Sequence, residues 1–231
     1  MTRVYGQFDV EAVIVDLDGT MVDTLGDFVV ALNGMLAELP APYRGFKLDR
    51  ATVALLVGKG TENLIKRVLR LAAGAGAQDP DSLFDTAWKH YEHHYLAING
   101  QYAVAYPGVV AGLRQLKAQG LKLACLTNKP TAFAVPLLKA KGLDGFFDLR
   151  FGGDAFARKK PDPLPLLKTC EALGTVPQRT LMIGDSSNDA RAARAAGCPV
   201  LLVTYGYNHG EPIRAVDADA FVDSLQQTPA A

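Results

Sequence analysis

The stretch Val13-Ile14-Val15-Asp16-Leu17-Asp18-Gly19-Thr20 joins a short apolar run to two carboxylates, a glycine and a hydroxyl. Such a run indicates a fully buried strand of a parallel sheet, and ligands bind at the carboxyl ends of these strands. Because side chains alternate along a strand, Asp16 and Asp18 would share a face. Two acids held together repel unless a cation compensates them, and Mg²⁺ prefers oxygen ligands. The stretch therefore predicts a metal site at a strand end, with a solvated Asp-Gly turn as the alternative.

The composition limits the class of protein without identifying its function. The chain has 231 residues, 49% of them hydrophobic, which suits one large domain or a core with a smaller insertion. Lysine plus arginine and aspartate plus glutamate balance at 24 each, so no net charge favours nucleic acid or an anionic membrane. The sequence has no apolar run of membrane-spanning length, no signal-peptide pattern and no metal spacing among its three cysteines. We therefore expect a cytoplasmic protein that binds neither nucleic acid nor membrane.

Strand and helix patterns alternate in the second half of the chain. Strands are predicted at 121–126, 180–183 and 199–203. Helices are predicted at 108–119, 131–141, 163–173 and 188–196. This alternation is typical of βαβ units, so it predicts an α/β fold with a Rossmann-like parallel sheet.

The segment 23–103 has a different pattern, which predicts a small helical domain inserted after the first strand. Its helical patterns lie at 23–38, 50–57, 61–73 and 82–98, without a convincing strand. The glycines within 74–76 predict the end of a helix and a turn. The predicted division is therefore a core of residues 1–22 and 104–231 and a helical cap of residues 23–103, with hinges near 21–24 and 104–107.

Polar residues also follow two other predicted strands. Thr127 and Asn128 come after 121–126, where their side chains and nearby N–H groups could hold phosphate oxygens or simply cap a helix. Gly184-Asp185-Ser186-Ser187-Asn188-Asp189 follows the strand at 180–183, and Asp189 falls near a helix start, where negative charge is tolerated. Because parallel strands end at one edge of the sheet, we expect these groups to lie close to Asp16.

Lys160 lies between two of these segments, in Lys159-Lys160-Pro161-Asp162-Pro163. The prolines stiffen the approach to a helix and fix the direction of the lysine. Its ammonium would neutralise a phosphate and the acidic cluster, although a solvated basic turn is the alternative. Four acids, a lysine and a hydroxyl at one sheet edge have no packing role, because buried charge must be compensated.

Together these motifs resemble the haloacid dehalogenase superfamily of phosphohydrolases. They are Asp16-Leu17-Asp18-Gly19-Thr20, Leu126-Thr127-Asn128, Lys160-Pro161 and the segment from Gly184 to Asp189, and they span most of the chain. The helical insert resembles the small cap domain of that superfamily. Two less specific segments, Val57-Gly58-Lys59-Gly60-Thr61 and Thr204-Tyr205-Gly206-Tyr207-Asn208, are most similar to bacterial phosphoglycolate phosphatases.

The resemblance implies an Mg²⁺-dependent phosphate monoester hydrolase that acts on a small phosphorylated metabolite, with phosphoglycolate as the expected substrate. Asp16 would be the nucleophile that forms an aspartyl-phosphate, and Asp18 would be the general acid and then the general base. Mg²⁺ would be held by Asp16, the backbone carbonyl of Asp18, and Asp185. The residues implied to bind substrate are Thr127, Asn128, Lys160 and Lys59, and those implied to support the site are Asp189, Gly184 and Ser186.

The resemblance leaves several activities open. A phosphatase of another small ester, such as a sugar phosphate or a nucleotide, and a phosphomutase would share the core residues. A phosphonoacetaldehyde hydrolase would use a cap lysine such as Lys59, but relatives with that activity, like the dehalogenases, usually lack an acid equivalent to Asp18. A catalytically silent regulatory relative should have lost one of the core residues, and all are present. The cation for a substrate carboxylate is expected from Lys59, Lys66 or Arg67 in the cap. The oligomeric state, monomer or homodimer, stays open.

Overall fold

The structure is a computed structural model that describes residues 2–74 and 79–226. Its strands are β1 (Thr2–Val4), β2 (Phe8–Val10), β3 (Ala12–Val15), β4 (Val22–Asp23), β5 (Val104–Ala105), β6 (Lys122–Leu126), β7 (Leu149–Phe151), β8 (Thr180–Gly184), β9 (Val200–Val203) and β10 (Ala220–Val222). Its α-helices are α1 (Leu25–Glu38), α2 (Arg50–Leu56), α3 (Thr61–Ala73), α4 (Phe84–Ile98), α5 (Val109–Ala118), α6 (Thr131–Ala140), α7 (Leu164–Leu173) and α8 (Ser187–Ala196).

A parallel sheet with the order β10-β9-β8-β3-β6-β7 forms the centre of the fold. All residues of β3 are buried, because helices cover both faces of the sheet. Val13 packs in one cluster with Leu113 of α5, while Ile14 packs in another with Leu166 of α7, as the alternation of side chains along a strand requires. The predicted α/β fold with a parallel sheet is confirmed.

The order of the strands places the predicted motifs side by side. β3 lies between β6 and β8, and Val15 is level with Cys125 on one side and Ile183 on the other. The residues that directly follow β3, β6 and β8 are Asp16, Thr127 and Asp185. The carboxyl ends of the three central strands therefore meet at one edge of the sheet.

Helices α1 to α4 lie between the short strands β4 and β5, which pair with each other in antiparallel fashion. These helices have a hydrophobic cluster of their own that also takes in Phe133 from α6. Asp27 of α1 is fully buried and accepts hydrogen bonds from the N–H groups of Gly100 and Tyr102, each at 2.7 Å, which joins the start of α1 to the end of α4. The division at 22/23 and 103/104 and the hinges stay predictions.

Several strands were not predicted, because they are short and lie at edges. β7 and β10 have three residues each, and all are only half-buried, so neither shows the continuous apolar run of the central strands. β1 and β2 form a separate antiparallel hairpin. Among the described residues, no helix is long and apolar enough to cross a membrane. In the predicted turn at 74–76, α3 ends before Gly74, which has a φ of 76°, and residues 75 and 76 lie outside the described residues, as do 1 and 227–231 of the predicted core.

Candidate active site

Asp16 continues the line of β3 and lies at the centre of the candidate site. Its N–H donates to the carbonyl of Ile183 at 2.9 Å, which fixes the residue to the neighbouring strand β8. Its Oδ1 atom is buried and 3.1 Å from Nζ of Lys160, and no described residue donates a hydrogen bond to it. Burial raises the pKa of Asp16 to about 7, although the charge of Lys160 opposes the rise.

Lys160 bridges two carboxylates behind this centre. Its Nζ donates to Oδ1 of Asp189 at 2.7 Å and to the carbonyl of Leu126 at 2.9 Å, and the side chain is only 3% exposed. Burial lowers the pKa of this ammonium, but Asp16 and Asp189 outweigh burial and hold the pKa above its ordinary value. The ammonium is therefore charged and fixed between the end of β3 and the start of α8.

Asp189 is a supporting residue whose two oxygens already have partners. Oδ1 accepts from Lys160, and Oδ2 accepts from the N–H and the hydroxyl of Ser186 at 3.2 and 2.8 Å, which forms a capping box at the start of α8. Gly184 precedes this turn, and a methyl group on its Cα would overlap the Asp189 side chain. The glycine therefore allows Asp189 to pack against the end of β8.

Asp185 is held at the end of β8 by contacts from two loops. Oδ2 accepts from the N–H of Tyr207 at 2.8 Å, and Oδ1 accepts from the hydroxyl of Thr20 at 3.4 Å. Gly19 and Gly206 lie so close that a methyl group on either would overlap the carboxylate, and Gly19 has a φ of 82°. Burial, together with the charges of Asp189 and Asp16, raises the pKa of Asp185 well above its usual range.

The carboxylates of Asp16, Asp185 and Asp189 form a buried cluster that could hold a metal ion, since one oxygen from each lies within 4.8 Å of the others. The residues fit a divalent cation. No described residue donates a hydrogen bond to the buried Oδ1 of Asp16. Burial first, and then the charges of neighbouring aspartates, raise the pKa values of Asp16 and Asp185, and a bound cation would offset both effects. Asp189 already accepts a hydrogen bond from the Lys160 ammonium, whereas the partners of Asp185 are an uncharged N–H and a hydroxyl, so Asp16 and Asp185 are the better metal ligands.

Thr127 and Asn128 follow β6 on the other side of Asp16. Thr127 is 3% exposed, and its hydroxyl accepts from the N–H of Lys129 at 3.3 Å. The Asn128 amide donates to the carbonyl of Lys160 at 2.8 Å and to the carbonyl of Gly58 at 3.3 Å. Asn128 therefore connects the loop of Lys160 to the helical segment through hydrogen bonds. Thr127 and Asp16 both line a cavity.

This cavity lies over the strand ends and has about 490 Å³ of free space, including its opening to solvent. Its lining residues are Asp16, Asp18, Phe28, Val57, Gly58, Gly60, Thr61, Leu64, Thr127, Asn128, Lys129, Asp185, Ser186, Tyr207, Asn208 and His209. Asp16 and Asp18 thus face one space, together with Thr127, Asn128 and Asp185 from the other two strand ends. Residues of the helical segment, among them Phe28, Val57 and Leu64, form the opposite wall, so the cavity lies between this segment and the strand ends.

The cap cations expected from the sequence do not line this cavity. Lys59 is exposed, and the positive φ angles of Gly58 and Gly60, 112° and 87°, set the path of the loop that carries it. Lys66 lies over the ring of Phe84, 5.0 Å from its centroid, and Arg67 donates to the carbonyl of Leu56 at 3.2 Å. The role of Lys59 in substrate binding stays a prediction.

Sequence reasoning missed Lys129 and His209, both of which line the cavity. Nζ of Lys129 is 3.0 and 3.3 Å from the two oxygens of Asp18. His209 lies 2.7 Å through Nδ1 from the carbonyl of Val57 and 3.4 Å through Nε2 from the amide of Asn188, and burial lowers its pKa. In a neutral ring with the proton on Nδ1, Nδ1 donates to the Val57 carbonyl and Nε2 accepts from the Asn188 amide. His209 therefore connects the loop after β9 to the helical segment.

Comparisons with known proteins show which sequences are similar to this chain. The sequence model of the haloacid dehalogenase-like hydrolases matches residues 10–197. A phosphoglycolate phosphatase of Thiobacillus denitrificans is 45% identical over 219 residues, with 94% of this chain and 93% of the relative covered, and a plasmid phosphoglycolate phosphatase of Cupriavidus necator is 45% identical, with 95% and 91% covered.

Solved structures show the same similarity. A crystal structure from Haemophilus somnus, described as a predicted phosphoglycolate phosphatase, has a TM-score of 0.85, 32% identity and coverage of 96% of this chain and 97% of that one. The CbbY protein of Rhodobacter sphaeroides, solved with phosphate, has a TM-score of 0.78, 26% identity and coverage of 94% and 96%. A mutant of the same protein has been solved with xylulose-1,5-bisphosphate.

Proposed function

Because the chain belongs to the haloacid dehalogenase-like hydrolases, we propose that it hydrolyses 2-phosphoglycolate to glycolate and phosphate. The relatives that are 45% identical over most of the chain carry that activity in their names. The observation that carries the reaction type is the buried carboxylate of Asp16, which faces the cavity beside the ammonium of Lys160. The cavity of about 490 Å³, which includes its opening to solvent, suits a small phosphate ester.

Asp16 is the nucleophile in this proposal. Its carboxylate attacks phosphorus, the bond from phosphorus to the ester oxygen breaks, and an aspartyl-phosphate forms while the alkoxide leaves. The alignment of Asp16 is fixed by its hydrogen bond to Ile183 and by Lys160 behind it. Positioning of this kind supplies much of the catalysis in phosphoryl transfer.

Asp18 moves the protons. It lines the same cavity as Asp16, and in its protonated form it gives a proton to the departing alkoxide. It then removes a proton from water, which attacks phosphorus and releases Asp16. The two acids thus have separate roles although only one residue separates them.

The transferring phosphoryl group requires positive charge and hydrogen-bond donors. Thr127 offers a hydroxyl on the cavity wall, and Lys160 offers a fixed positive charge beside Asp16. We propose that Mg²⁺ is held by Asp16, Asp185 and the backbone carbonyl of Asp18, with Asp189, Ser186 and Gly184 supporting from behind. When bound, Mg²⁺ would neutralise the carboxylates and the phosphoryl oxygens, so that the anionic nucleophile can approach the anionic ester.

The reaction is proposed to take place in the cytoplasm on a small phosphorylated metabolite. The three cysteines are buried free thiols, which agrees with a reducing compartment. Phosphonoacetaldehyde hydrolysis is disfavoured because it would need a lysine of the helical segment in the cavity, and Lys59 is exposed.

A panel of phosphate monoesters tests the substrate. We expect kcat/KM with Mg²⁺ to be highest for 2-phosphoglycolate and at least about 10-fold lower for hexose phosphates and nucleotides, because the helical segment lies opposite the strand ends and leaves less room for larger leaving groups. Steady-state phosphate release is the measurement. If kcat/KM is far higher for a sugar phosphate than for 2-phosphoglycolate, the proposed substrate is wrong, but the proposed phosphatase reaction is not contradicted.

A further inference from the structure

Lys129 is a buried cation on the cavity wall that the proposed reaction has not used. It follows Thr127 and Asn128 in the loop between β6 and α6, and its side chain is 1% exposed. A lysine this deeply buried loses its hydration, which is costly unless specific partners replace the water. The partners of Lys129 therefore indicate how its charge is stabilised in the buried position.

The partners of Lys129 come from both sides of the cavity. The core supplies Asp18, whose two oxygens lie 3.0 and 3.3 Å from Nζ. The helical segment supplies the rings of Phe28 and Tyr95, whose centroids lie 4.3 and 4.7 Å from Nζ. Aromatic faces attract a desolvated ammonium without neutralising it, so Asp18 is its single anionic partner among the described residues.

The charges around the cavity make Lys129 distinctive. Among the described residues that line it, Asp16, Asp18 and Asp185 are acids, and Lys129 is the only lysine or arginine. His209 has a lowered pKa because it is buried, so it adds no positive charge at neutral pH. Lys160 is behind Asp16 and bound to Asp189. An organic anion that enters the cavity therefore has one side-chain counter-charge, the ammonium of Lys129.

We propose that Lys129 selects an anionic leaving group by pairing with the carboxylate of the substrate's alcohol portion, an inference that rests on the proposed function. The ester oxygen must lie beside Asp18 to receive its proton, and Lys129 lies within hydrogen-bonding distance of Asp18. In 2-phosphoglycolate a single carbon separates the ester oxygen from the carboxylate, so one ammonium reaches the carboxylate while Asp18 serves the oxygen. Without Lys129, the three acids of the cavity repel this carboxylate.

Substitution of Lys129 by methionine tests the proposal with two substrates that differ in charge. The substrates are 2-phosphoglycolate and 2-hydroxyethyl phosphate, which has the same chain length and a neutral leaving group. We expect Lys129→Met to lower the ratio of the two kcat/KM values by about 100-fold, because a buried charge pair has lost one partner. Lys129→Arg, which keeps the charge, should retain most of the preference.

The control is Lys117→Met, which removes a lysine paired with Asp148 on the surface, and it should leave both kcat/KM values unchanged. If Lys129→Met does not fold, Lys129→Gln takes its place with the same expected ratio. Equal losses on both substrates would overturn the proposal, because Lys129 would then act only by positioning Asp18. A parent enzyme that hydrolyses both substrates equally well would also overturn the proposal, whereas a parent enzyme that does not hydrolyse 2-phosphoglycolate would overturn the proposed function itself.

Discussion

Asp16→Asn lowers kcat for phosphate-ester hydrolysis by at least about 10⁴-fold, because an amide does not form the acyl phosphate on which the reaction depends. The substitution keeps the size of the side chain and the hydrogen bond from the backbone of residue 16 to Ile183. Phosphate release in the presence of Mg²⁺ is the measurement. Asp9→Asn, an exposed change in β2, should keep the parent rate, and parent-level activity in Asp16→Asn would contradict the assignment of the nucleophile.

The same variant should also be more stable than the parent when divalent cations are chelated. Since the pKa of Asp16 rises from 3.8 to about 7 on folding, the folded chain binds this proton more tightly than the unfolded chain does. Ionisation of Asp16 therefore costs stability as the pH rises from about 4 to about 7, and the cost stays constant above that range. Urea unfolding should show that the free energy of unfolding of Asp16→Asn exceeds that of the parent by more at pH 8 than at pH 4.5.

Lys160→Met has the second-largest expected effect, and it acts on both activity and stability. Its removal leaves Asp16 and Asp189 without their common counter-charge, so we expect the free energy of unfolding to fall by about 3–5 kcal/mol. The loss of a fixed positive charge at the phosphoryl group should lower kcat/KM by about 10³-fold. Urea unfolding and steady-state phosphate release measure the two effects.

The neighbouring lysine provides the matched control. Lys159 pairs with Glu62 at 2.9 Å, but both side chains are partly exposed, 32% and 61% respectively. Lys159→Met should therefore cost less than about 1 kcal/mol and leave kcat unchanged. Similar stability losses for the two lysines would mean that the buried bridge of Lys160 does not hold the site together.

The sequence predicted best those site residues whose positions depend only on the pairing of the central strands. The apolar run that ends at Val15 and those that end at Leu126 and Ile183 predicted central strands, and parallel pairing then placed Asp16, Thr127 and Asp185 at one edge. Edge strands β7 and β10 were missed because three half-buried residues give no clear pattern.

Side chains that depend on distant packing could not be located in this way. Lys129 follows Asn128 in the sequence, yet its burial depends on Phe28 and Tyr95, which come from two helices of the inserted segment. The expectation for Lys59 rested on its neighbouring glycines, but the direction of that loop depends on backbone angles that residue types alone do not fix. The core site was therefore predictable, and the residue that meets the leaving group was not.

Covalent capture of the phosphoryl group on Asp16 would identify the nucleophile directly. An aryl phosphate binds more weakly than 2-phosphoglycolate and is therefore used at saturating concentration, but its leaving group needs no proton. In Asp18→Asn, breakdown of the aspartyl-phosphate still lacks its base. We therefore expect a burst of about one aryl alcohol per chain, followed by slow turnover, and an acid-quenched protein that carries one phosphoryl group on the peptide containing Asp16. A burst without phosphoprotein, or a phosphoryl group on another residue, would show that Asp16 is not the nucleophile.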